Sequence, residues 1–225
     1  MRKRKLGKWL WFGGLSVLAV VFTFLVKFFD VRAVGPNGSS VGFAGINQFF
    51  AEKVGVNWWL YKVTDLFWVL IVFIVLFYAL FGAYQLFKRK SLKKVDPKIL
   101  VLGGFYIIMV IAYVLFEKLK INYRPVLIDG ILEVSYPSSH TLVAIFVCGS
   151  ALMINRRLFS GNKAAKIMNC AVVIIMIAMV LGRILSGAHW LTDIIGGALI
   201  AGALLAGFSV ALEKIGASSK TGEKV

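Results

Sequence analysis

The sequence predicts an all-α protein, a polytopic bundle of six transmembrane helices with a reactive site on its extracytoplasmic side. Three observations carry this prediction. Of the 225 residues, 60% are hydrophobic and 16% charged, against roughly 45–50% apolar content in ordinary soluble domains. The apolar residues gather into six runs, most of them near the ~20 residues that a helix needs to cross a hydrocarbon core about 30 Å thick. The basic residues gather between those runs, as they do in the loops of membrane proteins.

The six runs cover 9–28, 66–87, 99–116, 141–154, 167–185 and 191–212, and together make one domain over 1–212. The first follows Arg2, Lys3, Arg4, Lys5 and Lys8. Its apolar stretch is too long for a signal peptide and no small-residue cleavage site follows it, so it reads as a retained anchor. Residues 30–65 form an extracytoplasmic segment that opens on a turn at Gly35, Pro36, Asn37 and Gly38. Further on, Ile46, Phe49, Phe50 and Val54 alternate with Asn47, Glu52 and Lys53, and Trp58, Trp59 and Tyr61 follow. That pattern fits a short helix lying at the membrane surface with an aromatic belt, or a cap folded over the helix ends.

The fourth run is short by hydropathy. It gains a turn from 138–140 if that turn packs against protein instead of lipid. The last run spaces Ala198, Gly202 and Ala206 by four, which lets helix backbones approach closely inside a bundle. This spacing does not by itself imply a dimer, and the oligomeric state stays open. Residues 213–225, rich in Ser, Gly and Lys, read as a disordered cytoplasmic tail.

The formal charge of +16 raises nucleic acid as a partner. Nucleic-acid binding needs a continuous basic surface, whereas these residues are divided among loops, so the expected partners are the bilayer and a membrane lipid. Most of the 26 Lys and Arg residues lie before the first run, at 88–98, at 156–166 and in the tail. Positively charged short loops stay in the cytoplasm, which puts both termini inside and the intervening segments outside. Cys148 and Cys170 both fall inside apolar runs and read as small core residues.

Ionisable residues near membrane spans are costly and therefore informative. Three groups reach the outer side in this orientation: 117–125 (EKLKINYRP), 136–140 (YPSSH) and 182–193 (GRILSGAHWLTD). Together they bring two arginines, both histidines, an aspartate and a serine-rich turn to one face. Guanidinium groups match phosphate oxygens in pairs, and a helix N-terminus offers free N–H groups to an anion. Ser138 and Ser139 stand where the fourth helix starts, as phosphate ligands or as simple N-caps. His189 and Asp193 are spaced i, i+4, so on one helical turn the carboxylate can take a hydrogen bond from Nδ1 and leave Nε2 as a nucleophile. A helix-end contact is the plainer reading of that pair. Arg183 would hold phosphate oxygens, and His140 would protonate a leaving alkoxide. No metal and no cofactor is expected, because the arginines repel a cation and already bring the positive charge that a phosphoryl group requires.

Arg124-Pro125, then Pro137-Ser138-Ser139-His140, then Arg183 with His189 and Asp193 resemble the three-part signature of the type 2 phosphatidic-acid phosphatase family. Six spans with an outward-facing site match its bacterial members, integral to the cytoplasmic membrane. The resemblance implies that His189 becomes a phosphohistidine, Asp193 orients it and His140 protonates the leaving group. It also implies that Arg124, Ser138 and Arg183 bind phosphate, without metal. By analogy with the family, undecaprenyl pyrophosphate is the first-choice substrate, with phosphatidic acid and phosphatidylglycerol phosphate as rivals. A lipid phosphotransferase using the same intermediate, or a non-enzymatic six-span transporter or phosphate-binding protein, are the alternatives.

The chain departs from the family pattern at three positions. Glu117 stands where Lys is expected, Ser139 where Gly is expected before His140, and Gly182 where Ser is expected before Arg183. If 117–125 is helical, Lys120 lies on the face of Arg124 and becomes the substitute phosphate ligand. Glu117 reads either as a partner of Lys118 or Arg124 or as a contact for a cationic headgroup.

Overall fold

The computed structural model describes residues 2–222, with side chains over 5–216. Among these residues are seven α-helices: α1 (Arg2–Phe28), α2 (Ala44–Val54), α3 (Trp58–Arg89), α4 (Pro97–Leu119), α5 (Ser139–Leu158), α6 (Lys163–Leu185) and α7 (Leu191–Gly222). All but α2 are long and apolar enough to cross a membrane, and the chain is an integral membrane protein with the predicted all-helical, six-span architecture.

Several of the spans start where a polar side chain takes up an N–H that the helix cannot bond. Asn57 accepts from Leu60 N at 3.0 Å, Asp96 from Lys98 N at 2.9 Å and Asn162 from Ala164 N at 2.8 Å. The cap at Asn57 explains one difference from the sequence reading. The helix of the second span begins at Trp58 and not near Leu66, so 58–65, predicted as the end of the extracytoplasmic segment, is the first two turns of α3. Its polar residues Lys62, Thr64 and Asp65 depress local hydropathy without interrupting the helix.

α5 is the least hydropathic span and the most buried, and the two facts have one cause. Its neighbours are protein, so small and polar residues such as Ala144, Cys148, Ser150, Ala151 and Asn155 replace lipid-facing Leu and Ile. α6 and α7 pack along it, while α1 packs along α7. The small residues of α7 serve this internal packing. A Cβ on Gly207 would come within 2.9 Å of the Phe12 ring of α1, and one on Gly202 would touch Leu15 at 3.7 Å. Phe105, Phe146 and Phe208 close the core between α4, α5 and α7. Cys170, predicted as a core residue, is exposed on α6, while Cys148 is buried.

α7 runs on to Gly222, so 213–222 is helical where a disordered tail is predicted; 223–225 lie outside the described residues. Lys8 pairs with Glu213 at 2.9 Å and Lys214 lies over the Trp9 ring, which ties the start of that extension to α1.

The predicted short helix exists as α2, and one face of it is bonded to the start of α7. Asn47 is fully buried and bonds in both directions to the start of α7, donating to Thr192 Oγ1 at 2.8 Å and accepting from Thr192 N at 3.2 Å. Ile46 and Phe49 on its other side are exposed. The segment between α4 and α5 folds back on itself about Asp129-Gly130, both at positive φ, the residue pair that suits a tight two-residue turn. Antiparallel bridges Ile128↔Ile131 and Tyr123↔Val134 set Arg124 opposite Glu133.

Candidate active site

The ends of α3, α4, α5, α6 and α7 that meet beneath α2 and the 122–135 turn carry nearly all of the polar residues singled out above. His189 sits in the short connection between α6 and α7. Gly187 has φ +66°, and a Cβ there would run into the backbone of Gly55, so the connection is pressed against the segment leading into α3. Asn57 N donates to Ser186 O at 2.9 Å and Trp190 Nε1 to Tyr123 O at 2.6 Å. These two bonds fix His189 between the α2–α3 link and the 122–135 turn.

Asp193 lies in the first turn of α7, where its Oδ2 accepts from Trp190 N at 3.0 Å, the back-bond of a capping box. His189 precedes the helix, so the predicted same-turn geometry does not hold. Its Nδ1 is 3.7 Å from Asp193 Oδ2, an ion-pair approach too long for a hydrogen bond. The cap and the approach to His189 occur together in one carboxylate.

The other imidazole nitrogen is engaged. His189 Nε2 lies 3.0 Å from Arg124 Nη1, and because a guanidinium only donates, Nε2 is the acceptor and the proton is on Nδ1. Arg124 is anchored twice more, through Nε to Glu133 at 2.9 Å and through Nη1 to Ala188 O at 3.2 Å. Burial, and then the positive charges of Arg124, Arg183 and His140, hold His189 well below the usual histidine range. It is therefore neutral near pH 7, the form in which an imidazole attacks.

Arg183 is completely buried near the end of α6. Its Nη2 bonds to Asp65 Oδ1, and its guanidinium lies 4.7 Å over the Tyr61 ring. Its Nε and Nη1 are buried without a hydrogen-bond partner, as is His140 Nδ1. His140 Nε2 is 3.3 Å from the same Asp65 oxygen, and its ring packs on Trp68 at 4.8 Å. Asp65 thus joins the second and third motifs. Its signal in the sequence is a carboxylate at the edge of a long apolar run, but a single Asp there also reads as the end of a loop.

Ser138 is the N-cap of α5, accepting from Thr141 N at 3.4 Å. Its own N–H donates to Asp193 O at 2.9 Å, locking the α5 start to the α7 start. Gly197 permits that contact, since a Cβ there would stand 2.8 Å from Ser138 O.

Arg124, Ser139, His140 and His189 line a cavity of about 380 Å³ together with Tyr113, Glu117, Glu133 and Ser135. Ser138, Arg183 and Asp193 are fully buried around it. Lys120 is not part of the lining. α4 ends at Leu119, and Lys120 is its left-handed C-cap, exposed to solvent, so the helical continuation that would place it on the Arg124 face is absent. Glu117 lines the cavity instead, and among the described residues it makes no ion pair with Lys118 or Arg124. A second hollow of about 420 Å³ runs between α3, α4 and α5, lined by Trp68, Ile71, Val72, Val75, Met109 and Val110. It shares Tyr113, Ser139 and His140 with the polar cavity. Among the described residues no cluster of His, Cys, Asp and Glu has the makings of a metal site.

Residues 105–216 match the family model described as PAP2 superfamily. A solved structure, the first transmembrane PAP2 type phosphatidylglycerolphosphate phosphatase from Bacillus subtilis, shares the fold with a TM-score of 0.59 and 20% identity. The match covers 91% of this chain and 97% of that one. No curated protein matches the sequence.

Proposed function

We propose, from the premise that this chain carries a PAP2 superfamily domain over residues 105–216, that it is a membrane lipid phosphatase working through a phosphohistidine at His189. The observation that carries the reading is the convergence of Arg124, His140 and His189 on one polar cavity, with Arg183 buried against Asp65, the partner of His140, beside an apolar groove that shares Tyr113, Ser139 and His140 with that cavity. The groove suits the hydrocarbon of a lipid and the cavity its phosphate.

In the reaction, His189 Nε2 attacks phosphorus and the bond from phosphorus to the lipid oxygen breaks. His140 gives that oxygen a proton. Water then attacks the phosphohistidine, passes a proton to His140, and the P–N bond breaks to release inorganic phosphate. Arg124 leaves Nε2 when phosphate arrives, exchanging a neutral acceptor for anionic oxygens to which its hydrogen bonds are stronger. Arg183, with two buried N–H groups unpaired, supplies positive charge beside the phosphoryl group. Ser138 and Ser139 bring the N-terminus of α5 to the same place. Asp193 favours the positive imidazole formed as His189 is phosphorylated. No step requires a metal.

The site end of the bundle is read as extracytoplasmic and both termini as cytoplasmic. The basic residues of 88–94 and 156–166 lie in the end turns of α3, α5 and α6 and in the connections between helices at the opposite end, as positive-inside orientation requires. Candidate substrates are undecaprenyl pyrophosphate, phosphatidic acid and phosphatidylglycerol phosphate; the last gives the similar Bacillus subtilis phosphatase its name.

The test is phosphate release from these lipids by the purified protein with EDTA present, beside the His189→Ala variant. Turnover in EDTA, an acid-labile phosphoprotein, and a loss of about 10³-fold or more in the variant are expected. Release that survives in His189→Ala, or none from any lipid, rejects the reading.

A further inference from the structure

We infer that this site selects lipid phosphomonoesters over lipid diphosphates, with Glu117 and Glu133 as the discriminating residues. The inference rests on the lipid phosphatase reading and narrows its substrate. Glu117, in the last turn of α4, and Glu133, in the 122–135 turn, line the same cavity as Arg124 and His189. Glu133 already faces Arg124 at 2.9 Å. Glu117 has no ion-pair partner among the described residues.

Glu117 and Glu133 in the lining, with Asp65 and Asp193 behind it, stand against Arg124, Arg183 and the protonated His140. Among the described residues no lysine lines the cavity. One phosphate can engage both arginines and the α5 N-terminus. A second phosphate, joined to the first through a single oxygen that His140 must protonate, stays in the same cavity, where the other charged groups are Glu117 and Glu133. It brings further negative charge to two carboxylates and, among the described residues, finds neither a lysine nor a third arginine in the lining. Like charges at such range repel, with partial screening by solvent because Glu117 is exposed and Glu133 partly so. A monoester carries no such second anion. Undecaprenyl pyrophosphate, preferred on family analogy, is therefore ranked below lipids whose scissile phosphate is a monoester.

The deciding experiment uses the full-length protein in detergent micelles and two lipids with one tail, undecaprenyl phosphate and undecaprenyl pyrophosphate, comparing kcat/KM for phosphate release. The monoester is expected to lead by about tenfold or more. Glu117→Gln narrows that ratio and Glu117→Lys narrows it further, while Lys118→Gln, one residue along and outside the cavity lining, leaves it in place. Added salt narrows the wild-type ratio, because Glu117 is exposed. A diphosphate hydrolysed as well as the monoester, or a ratio that neither Glu117 variant moves, overturns the inference and leaves the phosphatase reading standing. Failure to hydrolyse either lipid overturns the inference, and the phosphatase reading falls with it when phosphatidic acid and phosphatidylglycerol phosphate are left intact as well.

Discussion

Arg124 Nη1 rests 3.0 Å from His189 Nε2, so the guanidinium assigned to phosphate lies on the atom assigned to attack it. The contact occupies the nucleophile's lone pair, and the charge that makes it also keeps the imidazole unprotonated. Substrate phosphate is a stronger acceptor than a neutral ring nitrogen, so the arrival of substrate frees Nε2. Its consequence for pH dependence follows directly.

His189 must be neutral to attack, and burial with its cationic neighbours lowers its pKa well below 6.5. The acid limb that His189 sets on kcat/KM therefore lies well below pH 6.5. Stability follows the same sign. As pH falls through about 6.5, His189 in the unfolded chain takes up a proton that the folded site refuses, so stability drops below that pH and is unaffected above it. Arg124→Gln removes a positive neighbour, moving the limb up toward 6.5, and lowers kcat/KM by about 10²–10³-fold through lost phosphate binding. A pH–rate profile of both proteins checks this, and a limb that stays in place in the variant contradicts it.

Asp65 holds His140 and Arg183 with one carboxylate oxygen. Asp65→Asn is expected to reduce kcat/KM by about tenfold, a modest loss because the carboxylate is partly exposed. Asp65→Glu, which keeps the charge, should recover more of the rate than Asp65→Ala. Steady-state kinetics on the three variants decides the matter, and undiminished turnover in Asp65→Asn removes the residue from the mechanism.

The apolar groove gives a third expectation. Val72 lines it from α3, and Val72→Trp should fill part of it. Since each buried methylene is worth about 0.8 kcal/mol, excluding a few of them lowers the kcat/KM ratio of a long-chain to a short-chain phosphomonoester by about tenfold or more. An unchanged ratio places the tail elsewhere.

Much of this molecule was legible in the chain. Six apolar runs imply six helices because a bilayer leaves the backbone no other partner. Arg124, His140, Arg183 and His189 stood out because charge near a membrane span is costly enough to need a reason. Even the weak fourth run carried information, since a span poor in Leu and Ile is one that faces protein, as α5 does. Two misread helix bounds share a cause as well. The start of α3 at Trp58 and the extension of α7 to Gly222 were hidden because hydropathy tracks the bilayer, while helices continue beyond it when caps and ion pairs allow.

Only the tertiary structure decided which groups touch. Arg124 and His189 are 65 positions apart, and Arg183 and Asp65 are 118. Local sequence pattern records periodicity along a helix, and not the distance between helices. The turn at Asp129-Gly130 brings Glu133 to Arg124, and the left-handed end of α4 turns Lys120 outward and leaves Glu117 in the cavity. By itself the sequence determined which side chains are available for chemistry and that they share one end of the bundle. Packing decided their partners, because electrostatic energy at a buried site depends on separations of a few ångströms that only the folded helices set.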